Sequence, residues 1–244
     1  MTEDQVIKKL ISTASAEIGY MEKASNKNLD DKTANAGKGN FTKYARDLVN
    51  LIGSPYAQGA AWCDMFVDWC FIQTFGKDNA KKMLGGWSAY TPTSANFYKN
   101  AGRFFKSPKV GDQIFFKNSE RINHTGIVAS VDYTTVYTIE GNSLNRVRSY
   151  SYSLNNSSIA GYGRPNWSVV TTKEEHKNEP WPLATVEGVD ISDVLDPNVF
   201  DVRKYRKTYA DLDSVFGDNW QMYYYHYKVI GKKEIETKQR PPFM

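Results

Sequence analysis

Residues Trp62–Phe71 read WCDMFVDWCF, and this stretch decides the fold. Cys63, Phe66, Val67, Cys70 and Phe71 recur at i, i+3, i+4, i+7 and i+8, the spacing that gathers apolar side chains on one face of a helix. The preceding LIGSPYAQGAA (Leu51–Ala61) is punctuated by Gly53, Pro55 and Gly59, so a loop leads into the helix and Cys63 opens it. Both cysteines of the chain lie here. Seven helical positions separate them by roughly 10.5 Å of rise, beyond disulfide reach, so both are expected to be free thiols. A free cysteine is commonly a small buried hydrophobe, and Cys70 suits that role. Cys63 differs: at a helix N-terminus, backbone N–H groups and the helix dipole favour the nucleophilic thiolate.

Working outward, Thr2 and Gln5 have the spacing of a capping box, and Val6, Ile7, Leu10, Ile11, Ala14 and Ile18 repeat on one helical face. Met21–Asn40 is polar and rich in Gly and Asn, a loop long enough to carry function. Tyr44–Ile52 reads as a short helix ended by Gly53. Beyond residue 110 the period shortens: QIFFK (Gln113–Lys117), HTGIVASV (His124–Val131) and TVYTIE (Thr135–Glu140) read as consecutive antiparallel strands, and IAGYGRP (Ile159–Pro165) could close the sheet. Helices followed by an antiparallel sheet predict an α+β domain over residues 1–167. Residues 168–188 mix charge with two prolines and read as a linker. Residues 189–244 read as a small all-α module, with a turn at FGDN (Phe216–Asn219) and a last helix from Trp220 ended by Gly231.

At 244 residues there is ample length for a buried core. Aromatic residues make up 14%, an excess that suits gripping sugar rings or packing a Tyr-rich core. No run approaches the ~20 apolar residues of a membrane span. The start MTEDQVIKKL lacks the basic and apolar regions of a secretory signal. Residues 1–170 carry six more basic than acidic side chains and residues 171–244 two fewer. No Lys/Arg run forms a phosphate-tracking stripe, so nucleic acid is not an expected partner.

A thiolate nucleophile needs a partner, and the chain offers three histidines. His176 lies in the linker and His226 in the Tyr-rich tail helix. His124 begins an apolar strand, where its ring can project from the sheet rim toward another element. Glu140 and Asn142, two residues apart at the end of the next strand, are the candidates to orient it. Three scattered histidines and two cysteines on one helix give no zinc spacing.

The blocks WCDMFVDWCF, GDQIFF (Gly111–Phe116), HTGIVASV and YTIEGNS (Tyr137–Ser143) together resemble CHAP domains, the cysteine, histidine-dependent amidohydrolases/peptidases of phage lysins and bacterial wall hydrolases. The resemblance spans roughly residues 5–165. It implies a papain-like (NlpC/P60-type) fold, Cys63 as nucleophile, His124 as its base, Glu140 as the group orienting the imidazole, and Asn142 as a polar helper. The implied function is peptidoglycan hydrolysis at the muramoyl–alanine amide or at a peptide bond of the stem or cross-bridge. A non-catalytic wall-binding protein, or an injected antibacterial effector on the same fold, is the alternative. No cofactor is expected. Some phage relatives bind calcium through an Asp-rich loop; here the corresponding stretch offers Asp30 and Asp31 without an Asp-x-Asp alternation. Synthesis in a host cytoplasm and release through a holin would suit a lysin without a signal.

The tail FDVRKYRKTYADLDSVFGDNWQMYYYHYKVIGKKE (Phe200–Glu234) is similar to small helical repeats of wall-associated proteins. Nine aromatics (Phe200, Tyr205, Tyr209, Phe216, Trp220, Tyr223, Tyr224, Tyr225 and Tyr227) are more than so small a core should hide. Some are therefore expected at the surface, for a wall glycan or for homo-oligomer contacts.

Overall fold

The computed structural model describes residues 1–171, 185–186, 188–191, 194, 200–217 and 219–237. The chain divides into two compact units, Met1–Glu174 and Glu175–Met244. The first is the expected α+β, papain-like arrangement: helices, then a six-stranded antiparallel sheet.

Helix α1 (Glu3–Ala16) starts with the capping box, Thr2 and Gln5 satisfying each other's backbone N–H groups, and buries Val6, Leu10 and Ala14. Helix α2 (Lys43–Leu51) is capped by the Thr42 side chain. Helix α3 (Cys63–Phe75) is the centre of the unit: every residue from Cys63 to Ile72 is buried. The apolar spacing in the sequence captures one face of it. The other faces are buried as well, since α1 and α2 pack against it and β3 (Ile122–Val131) lies beneath. Helices α4 (Lys77–Leu84) and α5 (Thr91–Asn100) follow.

The strands β1 (Phe104–Phe105), β2 (Gln113–Lys117), β3, β4 (Thr135–Glu140), β5 (Arg148–Ser153) and β6 (Ile159–Gly163) are ordered β1-β6-β2-β3-β4-β5. Successive strand side chains point to opposite faces. Phe115, Ile127 and Ile139 thus join the main core with α3, whereas Ile114, Phe116, Val128, Val136 and Tyr162 form a second, smaller core on the other face. Two apolar faces explain why β2 is buried at four consecutive residues. Past the sheet, a 3-10 turn (Trp167–Val169) returns Trp167 to the main core, stacked on Phe71, with Val169 and Val170 packed beside it.

The loop Met21–Asn40 is pinned to the domain. Isolated bridges pair Met21 with Arg146 and Lys23 with both Ala36 and Phe41, and the Tyr20 hydroxyl donates to the Leu29 carbonyl at 2.8 Å.

In the second unit a two-stranded ribbon, β7 (Thr185–Val186) and β8 (Val189–Asp190), precedes α6 (Val202–Thr208), α7 (Ala210–Phe216) and α8 (Trp220–His226). The ribbon departs from the all-α expectation. Gly231 also does not end the last helix: the chain continues through a π-helical turn (Tyr227–Gly231) into α9 (Lys232–Glu236). A side chain at 231 would strike the Tyr205 hydroxyl, so this glycine is required by close approach instead of by helix termination.

The aromatic surface expected of the tail is not there. Phe200, Tyr205, Tyr209, Tyr223 and Tyr224 are buried, and Phe216, Trp220, Tyr225 and Tyr227 are half-buried. They stack on one another and form the core, because helices of seven residues or so have little aliphatic surface with which to build one. Much of the segment read as linker, residues 172–184, lies outside the described residues. Among the described residues no helix is long and apolar enough to cross a membrane.

Candidate active site

Cys63 sits on the first residue of α3, and the N-cap Trp62 contributes no side-chain cap. The first N–H groups of a helix have no partner within it, so those at Cys63 and Asp64 are oriented out of the helix end. Trp62 itself is held from the polar loop: its indole N–H donates to Glu22 Oε2 at 2.9 Å, both side chains being buried. This gives the loop Met21–Asn40 a structural task, fixing the residue from which the nucleophile's helix departs.

His124 faces the same place from β3. Its Nε2 lies 2.8 Å from Glu140 Oε2, and the Cys63 side chain is close enough to the ring to raise its pKa. With Nε2 bound to the carboxylate, Nδ1 is the nitrogen left to meet the thiol. The imidazole is 25% exposed and the Glu140 side chain 1%, so the carboxylate is sheltered behind the ring and the ring alone meets solvent. Burial by itself would lower the pKa of His124. The hydrogen bonds to Cys63 and Glu140, with the charges of both, outweigh burial and hold it at about 10.

Glu140 is fixed in turn. Thr138 Oγ1 donates to its Oε1 at 2.6 Å, while Phe116 lies between the His124 ring (5.8 Å) and Tyr152 (4.8 Å). Burial, and then the adjacent Glu140 charge, push the Tyr152 hydroxyl above its ordinary range, so it remains a protonated neighbour. Gly126 opposite leaves the space that Glu140 fills: a Cβ there would meet Glu140 Cγ and the Ile139 carbonyl. Gly141 does the same on the helix side, where a Cβ would enter Phe66 and the Trp62 ring.

The structure therefore brings Cys63, His124 and Glu140 together. Asn142 follows in the turn after β4, with left-handed backbone (φ 56°), and no hydrogen bond joins its side chain to the imidazole. Cys70 is fully buried, and burial followed by the Glu17 charge pushes its thiol well above the ordinary range. His226 bonds to the Tyr205 hydroxyl at 2.9 Å in the core of the second unit, and His176 lies outside the described residues.

Asp30 and Asp31 are occupied by nitrogen donors. Asp30 holds the Arg46 guanidinium through both oxygens (2.7 and 2.8 Å), and Asp31 accepts from the backbone N–H groups of Thr33 and Ala34. Calcium takes six to eight oxygen ligands, and these two carboxylates, turned to separate partners, do not fit that requirement. Among the described residues no group of three or more His, Cys, Asp or Glu could hold a metal ion.

Sequence reasoning missed a second buried polar group beside the nucleophile. Asp64 accepts from Ser94 Oγ at 2.5 Å and from Gln113 Nε2 at 3.0 Å, and Asp68 accepts from the Tyr56 hydroxyl at 2.5 Å. Burial raises both carboxyls above the usual range, and for Asp68 the Asp64 charge adds to it. The sequence signal was two carboxylates, Asp64 and Asp68, inside an otherwise apolar helix.

A search of curated proteins finds no match. Among solved structures, the crystal structure of Ly7917 is similar at 12% identity and a TM-score of 0.40, over 66% of this chain and 62% of that one, so less than two thirds of its length is spanned. The family model for the CHAP domain matches residues 55–142, an interval that begins eight residues before Cys63 and ends two after Glu140. Residues 55–142 of the first unit are therefore similar to the CHAP domain, the family whose sequence blocks this chain resembles.

Proposed function

We propose that this protein is a cysteine-dependent peptidoglycan hydrolase that cleaves an amide bond of the bacterial wall, with Cys63 as nucleophile, His124 as acid–base and Glu140 as the group that orients the imidazole. The observation that carries the reading is His124, bonded to a buried carboxylate through Nε2 and close enough to Cys63 for that side chain to raise its pKa.

The chemistry follows from that arrangement. A proton shared between Cys63 and His124 rests on the imidazole, leaving a thiolate at the end of α3. Cys63 Sγ attacks the amide carbonyl carbon, and the outward N–H groups of the first helical turn, that of Cys63 foremost, receive the oxyanion. His124 passes its Nδ1 proton to the departing amine as the C–N bond breaks, leaving a thioester. A water molecule, losing its proton to the same nitrogen, attacks the thioester; a carboxylic acid leaves and the thiol is restored. Glu140 accepts from the Nε2 proton throughout and so fixes the tautomer.

A muramoyl–alanine amide and a stem or cross-bridge peptide bond both suit this mechanism. The second unit then serves to keep the enzyme on an insoluble polymer. Lysis of purified walls followed by turbidity, with mass spectrometry of the released fragments, tests the proposal. Loss of turbidity accompanied by new amino termini or freed muramic acid supports it and identifies the bond. Intact walls after prolonged incubation with folded, reduced protein would overturn it.

A further inference from the structure

The buried network beside the nucleophile links the two halves of the candidate site. Gln113, at the start of β2 and 2% exposed, uses its whole side-chain amide. Its Nε2 donates to Asp64 Oδ1 at 3.0 Å and to Thr125 Oγ1 at 3.1 Å, and its Oε1 accepts from the Tyr98 hydroxyl at 3.0 Å. The orientation of the amide is determined by its neighbours. The Thr125 hydroxyl spends its proton on the Ile114 carbonyl at 2.7 Å, so it can only accept from Gln113. Asp64 also receives Ser94, so the network reaches α5 twice, through Ser94 and Tyr98.

The positions of the two acceptors matter most. Asp64 is the residue after Cys63 on α3, and Thr125 is the residue after His124 on β3. One amide thus ties together the backbone positions adjoining nucleophile and base, from an element that carries neither. Apolar packing of α3 on the sheet is non-directional and resists sliding weakly, whereas two hydrogen bonds from one planar amide define both distance and angle.

We propose that Gln113 is a positioning residue that sets the register of the Cys63 helix against the His124 strand through Asp64 and Thr125. The inference rests on the Cys63–His124 pairing proposed above. It goes further in assigning the accuracy of that pairing to a side chain that touches neither residue. Gln113 cannot contact the wall substrate, because it is sealed behind α3 and α5.

The test reads the pair without any wall substrate. Full-length protein is alkylated with iodoacetamide at neutral pH, the rate at Cys63 is followed by peptide mass spectrometry, and the thiolate is followed by its ultraviolet absorbance. In Gln113→Glu, a carboxylate replaces the donor and faces Asp64. Thr125→Val is nearly isosteric and removes one acceptor, so it keeps the question open should the first variant fail to fold. Misplacement of reacting groups by about 1 Å can cost as much as 100-fold, and a roughly 10- to 100-fold fall in alkylation rate is expected for Gln113→Glu, with a smaller fall for Thr125→Val. The double variant Asp64→Asn with Gln113→Glu exchanges donor and acceptor across the Asp64 contact alone, leaves Thr125 without its donor, and should recover part of the rate. A folded Gln113→Glu or Thr125→Val protein with the wild-type alkylation rate and thiolate absorbance overturns the inference. So does a folded double variant no faster than Gln113→Glu alone. Failure of the wild-type protein to degrade walls, with Cys63 still rapidly alkylated, would sink the proposed function and leave this inference standing.

Discussion

Replacing Glu140 with Gln removes a charge while keeping an oxygen that can accept from the imidazole, which makes it the sharpest probe of the site. The pKa of His124 is raised from 6.5 to about 10, a difference that corresponds to roughly 5 kcal/mol. This is what remains after burial has acted in the opposite direction, and it is shared between Cys63, the larger contributor, and Glu140. A neighbouring opposite charge moves a pKa by about 1–3 units, so the imidazolium of Glu140→Gln should lose its proton earlier by roughly that amount. Because the folded-state pKa is raised, the pair stabilises the protein fully below about pH 6.5, and that contribution is lost as pH rises through about 10. The assay is the pH dependence of kcat/KM on a soluble muropeptide, measured from about pH 6 to 11, since protonation of the leaving amine needs the imidazolium. The wild type should hold its rate until close to pH 10, and the variant should fall off earlier while keeping partial activity at neutral pH. An alkaline limb that stays in place, in a variant folded by circular dichroism, would refute the electrostatic role given to Glu140.

Cys63→Ala should abolish hydrolysis, whereas Cys70→Ala should cost only stability, about 1 kcal/mol for the small void it opens; turnover and thermal melts of the two variants separate these effects. Gly141→Ala should destabilise the first unit by about 1–3 kcal/mol and lower kcat, since its Cβ would enter Phe66 and Trp62 at the base of the nucleophile's helix, as urea unfolding and turnover would report. EDTA should leave most of the activity, because Asp30 and Asp31 are engaged by Arg46 and by backbone N–H groups; loss on chelation with rescue by calcium would contradict this. Ending the chain at Glu174 should leave cleavage of soluble muropeptides unchanged while weakening sedimentation with intact walls, since Cys63, His124 and Glu140 all lie in the first unit.

How much of this was legible in the sequence depends on how local each feature is. The α1 capping box, the start of α3 at Cys63 and the strand β4 follow from near neighbours, and the structure reproduces them. The strands β1 and β5 leave no such mark: the first is two residues long, and RSYSYS alternates polar with aromatic side chains without an aliphatic face. At the site, residue type singled out Cys63 and His124, but the loop that anchors Trp62 through Glu22 acts across forty positions of sequence. Gln113 carries no mark of its role, because an amide among apolar strand residues reads the same whether it is solvated or fully bonded. In the tail, composition counted the aromatics correctly, while burial depended on their meeting one another, as Phe200 and Tyr227 do at 4.1 Å.

The strand order has a consequence for synthesis. β6, the last strand of the six, lies between β1 and β2, so the edge of β2 has no neighbour until Gly163 has been made. A ribosome-bound chain that already contains Cys63, His124 and Glu140 still presents an open hairpin with unpaired backbone groups along Gln113–Phe116. Domains generally fold as units during translation, so the finished sheet waits for its final strand to be inserted, and truncated products ending before residue 159 should aggregate through that edge.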